Sequence, residues 1–212
     1  MMKIQLALDR LTINQAIALT NKVVDFVDVI EVGTSLIKEF GMGSVSELKQ
    51  AFPTKQILAD IKTIDNARYE LELCYQAGAD ITTVMGSAHP LTIEQCIQFA
   101  QANNKDLMID LLNLNAHQKE QLFANADDHL YFCEHISKDE QELGIPRKKT
   151  FSRRDDKLRR IAIAGGITIQ TLPQYIQQQP NIIIVGSAIT QADDPVEVAK
   201  ELSKHIRGAD HE

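Results

Sequence analysis

Residues 57–65 read ILADIKTID. The first five form a short, nearly continuous apolar run, as a strand does when both of its faces are buried. Charged residues follow at once. Residues 68–77 then repeat apolar side chains at helical spacing, Gly78 stops that helix, and a new apolar run opens at Ile81. This strand–loop–helix unit recurs along the chain. Apolar runs fall at 4–8, 29–32, 57–61, 81–84, 107–111, 130–133, 161–164 and 182–185. Helical periodicity falls at 11–26, 45–51, 68–77, 93–102, 116–126, 152–158, 172–178 and 196–206. Asn103 and Asn104 close the fourth helix, and Pro195 stands where a first helical turn begins. Strands alternating with helices imply a parallel sheet. At 212 residues the expected fold is a closed (β/α)8 TIM barrel, one domain spanning 1–212. An open doubly wound sheet is the competitor. It usually carries a glycine-rich turn after its first strand, where this chain reads LALDRLT.

The composition is that of a globular protein, 44% hydrophobic and 24% charged. A net charge of −7 argues against general nucleic-acid binding. Residues 147–160 run against that balance, with eight Lys/Arg and two Asp. They read as a solvated loop and helix face, with a polyanion patch as the lesser alternative. Cys74, Cys96 and Cys133 are odd in number and far apart, so buried free thiols are expected rather than a disulfide framework or zinc ribbon. No apolar run approaches the roughly 20 residues of a membrane span. The first residues carry no signal-peptide pattern, and a cytoplasmic location is the expectation.

In a barrel of this kind the chemistry sits at the C-terminal ends of the strands. Those ends carry Asp9, Glu31, the group Asp60, Lys62 and Asp65, then Asp110 and His135. Glycine turns follow at Gly165–Gly166 and Gly186–Ser187. Each charge costs desolvation unless paired, so many at one mouth mark a site. Singly they have plainer readings: Asp9 or Asp110 as a helix cap, His135 as a structural histidine, the glycine pair as a turn. Residues two apart on a strand share a face. Asp60 and Lys62 are therefore both expected to point into the mouth, with Asp65 in the loop beyond. Carboxylates from Glu31 and Asp60, completed by waters and substrate oxygens, suit Mg²⁺. A charged Lys62 between carboxylates suits a developing enediolate. The two glycine turns suit a phosphate held by backbone N–H groups. Together these features describe an enzyme of sugar phosphates.

The segments DVIEVGT (28–34), LADIKTIDNA (58–67), AGADITTVMG (77–86), AIAGGI (162–167) and IIIVGSAIT (182–190) resemble the 3-hexulose-6-phosphate synthases. These belong to the orotidine-monophosphate decarboxylase suprafamily, as do the 3-keto-L-gulonate-6-phosphate decarboxylases. The resemblance implies reversible aldol condensation of formaldehyde with D-ribulose 5-phosphate through a Mg²⁺-stabilised 1,2-enediolate. It further implies that Glu31 and Asp60 bind Mg²⁺, that Lys62 stabilises the enediolate oxygen, and that His135 moves a proton. Asp65 would complete the charged network by reaching the site of the partner in a homodimer. Asp9 and Asp110 would bind substrate, and Gly165, Gly166, Gly186 and Ser187 would hold its phosphate. Ala164 and Ser187 follow the synthase pattern, since the decarboxylases usually read TGG and GR at these two turns. HISKD at 135–139 matches neither the HTGYD of the synthases nor the HRSRD of the decarboxylases, and Lys138 stands where the latter have Arg. Two alternatives stay open: a 3-keto-L-gulonate-6-phosphate decarboxylase, and a non-catalytic phosphosugar-binding protein. Neither nucleic acid nor membrane is an expected partner.

Overall fold

Apolar runs without alternation need cover on both faces, and the barrel supplies it. In the computed structural model, which describes residues 2–143 and 159–208, the strands are β1 (Lys3–Leu8), β2 (Val29–Val32), β3 (Gln56–Thr63), β4 (Ile81–Met85), β5 (Asp106–Asp110), β6 (Leu130–His135), β7 (Arg160–Ala164) and β8 (Ile182–Val185). They pair in parallel in sequence order, and β1 also pairs with β8, which closes a (β/α)8 TIM barrel. Leu6, Ile30, Ile57 and Ile109 face outward into one apolar layer beneath the helices. Val29, Leu58, Ile81, Met108, Tyr131 and Ile182 fill the interior as a second cluster.

The helices are α1 (Ile13–Val23), α2 (Thr34–Phe40), α3 (Met42–Ala51), α4 (Ala67–Gln76), α5 (Pro90–Ala102), α6 (Ala116–Phe123), α7 (Lys138–Glu142), α8 (Leu172–Ile176), α9 (Ser187–Thr190) and α10 (Pro195–Gly208). Thr12 starts α1 with a capping box, its hydroxyl accepting from the Gln15 N–H while Gln15 accepts from the Thr12 N–H. The expected helix at 11–26 ends sooner, in a 3₁₀ turn over Val24–Phe26. Helix α2 lies outside the stretches of helical periodicity. Gly33 and Gly41 bound it instead of interrupting it. Helices α7 and α9 are too short for periodicity to register. The expected helix at 152–158 lies outside the described residues, as does most of the basic segment.

Two of that segment's arginines are described, at the end of the barrel opposite the strand C-termini. Arg159 lies over the Phe123 ring at 4.5 Å and pairs with Glu120. Arg160 opens β7, lies over Tyr131 and pairs with Asp106. The three cysteines are free and buried. Among the described residues no helix is long and apolar enough to cross a membrane.

Strand β3 departs from regular alternation. Its register against β4 shifts between Ala59 and Thr63, and Lys62 adopts a left-handed φ of 51°. The same-face rule therefore does not run from Asp60 to Lys62, and a bulge aims the lysine. The backbone there is held by the Lys62 N–H, which donates to Thr83 Oγ1 at 2.9 Å.

Candidate active site

The strand C-termini converge on a cavity of about 400 Å³. On one side stand two carboxylates from adjacent strands, Glu31 and Asp60, 8% and 7% exposed. Neutral donors hold both. Thr34 Oγ1 donates to Asp60 Oδ2 at 2.7 Å and Thr83 Oγ1 to Asp60 Oδ1 at 2.8 Å. Gln5 Nε2 donates to Glu31 Oε2 at 2.6 Å. Burial, and then the charge of Asp60, push the Glu31 carboxyl up to about 8. A cation between the two would relieve that repulsion. Among the described residues no group of three or more His, Cys, Asp or Glu is arranged to hold a metal. Two hard oxygen donors from Glu31 and Asp60, completed by water and substrate, would be a donor set that fits Mg²⁺ rather than zinc.

Lys62 stands next to this pair. Its Nζ lies 3.2 Å from Asp60 Oδ2 and 2.8 Å from Asp110 Oδ2. Burial works against the ammonium, but the Asp60 and Asp110 carboxylates outweigh it and raise the Lys62 pKa. Lys62 is therefore a fixed cation and not a base. The same Asp110 oxygen lies 2.9 Å from His135 Nδ1. Burial favours a neutral Asp110, yet His135 and Lys62 together hold its carboxyl below the usual carboxylate range. An ionised Asp110 accepts from Nδ1–H, which leaves Nε2 as the ring nitrogen available for proton transfer.

The far wall carries the glycine turns. Gly165 has φ 101°, and a Cβ there would stand 2.8 Å from the Ile136 carbonyl oxygen, so this turn admits no side chain. The Gly166 N–H donates to Gln141 Oε1 at 3.0 Å. Gly186 precedes the first turn of α9, which Ser187 opens. Exposed Arg10, Lys38 and Lys138 stand at the rim.

Asp9, Glu31, Asp60, Lys62, Asp110, His135, Gly165, Gly166, Gly186 and Ser187 all line this cavity, and Asp65 does not. Asp65 is exposed, its Oδ1 accepting the Asn66 N–H at 2.8 Å. Asp110 is the second carboxylate on Lys62, where the loop spacing suggested Asp65. Asp9 Oδ1 accepts from the Ser35 N–H and hydroxyl at 3.2 and 2.7 Å. It thus serves the first turn of α2 and not the helix that follows it. Gln5, Thr34 and Thr83 were missed. Gln5 had a signal, as a polar residue inside the apolar run 4–8. The threonines had none, because threonine is ordinary in strands.

A sequence profile described as the orotidine 5'-phosphate decarboxylase / HUMPS family matches residues 2–202. The chain belongs to this family. It is 37% identical over 207 residues to the 3-hexulose-6-phosphate synthase of Bacillus subtilis, a match spanning 97% of this chain and 99% of that protein. The crystal structure of 3-hexulose-6-phosphate synthase from Salmonella typhimurium is 36% identical, with a TM-score of 0.88 over 98% of this chain and 100% of that one. The structure of 3-keto-L-gulonate-6-phosphate decarboxylase from Vibrio cholerae is more distant, 28% identical with a TM-score of 0.81 over 98% of each chain. Every residue of the cavity wall named above falls inside the family match.

Proposed function

We propose that this chain is a Mg²⁺-dependent carbon–carbon lyase that joins formaldehyde to D-ribulose 5-phosphate, reversibly, to give a 3-hexulose 6-phosphate. The observation that carries this reading is Lys62, a fixed cation between Asp60 and Asp110, with His135 on the same Asp110 oxygen. The kinship of the chain supports it, since similarity to the synthases named above exceeds that to the decarboxylase.

The chemistry follows from the residues. Glu31 and Asp60 would hold Mg²⁺, which supplies Lewis-acid polarisation of the substrate's carbonyl and neighbouring hydroxyl oxygens when bound. Abstraction of a C1 proton from ribulose 5-phosphate gives the 1,2-enediolate, with His135 Nε2 the positioned proton carrier. Lys62 meets the developing oxyanion with its ammonium. C1 then attacks the formaldehyde carbon, a C–C bond forms, and the new alkoxide takes a proton. Asp110 orients both Lys62 and His135. The Gly165 N–H and the N–H groups of the Gly186–Ser187 turn hold the phosphate, joined by the Gly166 N–H when the phosphate displaces Gln141 Oε1 from it; Asp9 contacts the sugar hydroxyls, and the rim cations draw the dianion in.

The assembly is a homodimer with shared sites, working in the cytoplasm. Exposed Ile64, Tyr69 and Leu73 flank Asp65 on the β3–α4 loop and α4, with Leu91 on the adjoining α5. Apolar side chains in such a row call for a partner surface, and covering them would carry Asp65 toward a neighbouring subunit.

The second reading, a decarboxylase of 3-keto-L-gulonate 6-phosphate, has one observation in its favour. Lys138 lines the cavity, where a cation could place a proton-donating water. A paired assay decides between the two, each arm with and without EDTA. The expected result is formaldehyde-dependent loss of ribulose 5-phosphate that EDTA abolishes. Dominant CO₂ release from 3-keto-L-gulonate 6-phosphate would overturn the synthase reading, and inactivity in both arms would overturn both.

A further inference from the structure

Gln5 is fully buried inside the barrel, on β1, next to the β2 strand that carries Glu31. An uncharged amide in an apolar interior has to satisfy both its ends. One end is satisfied: Nε2 donates to Glu31 Oε2 at 2.6 Å. The other is not, for Gln5 Oε1 is a buried acceptor without a hydrogen-bond partner among the described residues. Rotating the amide does not help, because it would only move the orphan from Oε1 to Nε2. The orphaned carbonyl therefore calls for a donor that arrives with a ligand. Gln5 lines the same cavity as Glu31 and Asp60, so that donor has a route in.

We infer that Gln5 is a positioning residue of the divalent-cation site. Its Nε2 pins one oxygen of Glu31 and so presents the other to the cation, and its Oε1 accepts a hydrogen bond from a water bound to that cation. The inference rests on the cation reading above and extends it to a residue outside the ligand pair. It also accounts for the chemistry of the surrounding side chains. Gln5, Thr34 and Thr83 orient the two carboxylates through neutral donors, and among the described residues Glu31 has no cationic side chain at ion-pair distance. Lys62 reaches Asp60 alone of the two by hydrogen-bond or ion-pair distance. Outer partners of this kind set metal affinity strongly, typically by about 10- to 100-fold on removal.

The test is Mg²⁺ binding to substrate-free protein by titration calorimetry, with Mn²⁺ as a spectroscopic substitute, comparing wild type with Gln5→Met. Methionine keeps the length and volume of the side chain and suits the apolar interior, which favours folding. The expected result is about 10- to 100-fold weaker binding in Gln5→Met. Equal affinity in the two proteins would overturn the inference and leave the cation reading standing. No binding to wild type would overturn both, whatever the assay of activity shows. Should Gln5→Met not fold, the wild-type side-chain amide serves instead. Its NMR resonances are expected to shift on Mg²⁺ addition and with the saturation curve of the site, and unchanged resonances at saturation would overturn the inference.

Discussion

Lys62 Nζ lies 2.8 Å from Asp110 Oδ2, an oxygen whose side chain is only 4% exposed. That oxygen also accepts from His135, so one buried carboxylate sets the position of the cation and of the proton carrier together. Asp110→Asn keeps the shape and removes the charge. With its oxygen toward Lys62 and His135 the amide sets its NH2 against the Leu112 N–H, which now donates to Asp110 Oδ1 at 2.9 Å, and the shared oxygen loses its charge, so kcat for formaldehyde-dependent consumption of ribulose 5-phosphate is expected to fall by about 10² to 10⁴-fold. KM for the sugar phosphate should change little, because the phosphate turns lie across the cavity. A variant that keeps kcat and loses only KM would place Asp110 in substrate binding instead.

Glu31 gives a pH dependence of defined sign. In the cation-free protein, burial and the charge of Asp60 push its carboxyl up from 4.5 to about 8. Between those values the folded chain holds a proton that the unfolded chain has lost, so its contribution to stability falls as pH rises through that window. Mg²⁺ has to displace the same proton. Binding is expected to tighten as pH rises toward about 8 and to level off above it, with a proton released at lower pH. Calorimetry in two buffers of different ionisation enthalpy reads that proton directly. Affinity independent of pH across this range would count against Glu31 as a ligand.

Gly165→Ala tests the phosphate wall. The new methyl group would meet the Ile136 carbonyl at 2.8 Å in a backbone of φ 101°. The expected cost is roughly 1–3 kcal/mol of stability, read as a lower midpoint in thermal unfolding. Because the turn must shift to make room, KM for the sugar phosphate should rise more than kcat falls. Unchanged melting and unchanged KM would show that the turn is not packed as described.

Asp65 tests the shared site. It is exposed and does not line the cavity of its own chain, so a contribution to catalysis has to come across an interface. Asp65→Asn and Asp60→Asn are each expected to be inactive alone. Mixed as heterodimers, they should recover about a quarter to a half of wild-type activity, since one of the two sites is then intact. No recovery in a verified heterodimer would confine each site to one chain.

Much of this protein is legible in its sequence. The eight apolar runs carry no alternation, and only a sheet covered on both faces asks for that pattern. Charged residues and glycines recur at the same point of each unit, so the parallel barrel gathers Glu31, Asp60, Asp110, His135 and the two glycine turns at one mouth. These features are local and periodic, and spacing alone expresses them. The partners of each residue are a different matter. That Asp110 and not Asp65 completes the Lys62 pair depends on a bulge in β3, and strand alternation has no means of announcing a bulge. That Asp9 serves α2, and that Gln5 and two threonines orient the carboxylates, depends on which strands stand side by side in the closed sheet. Sequence determined the barrel and the kinds of group at its mouth, because burial imposes them one strand at a time. The tertiary structure alone decided which group touches which, because hydrogen bonds of 2.6–2.9 Å are set by register and by a single left-handed residue at Lys62.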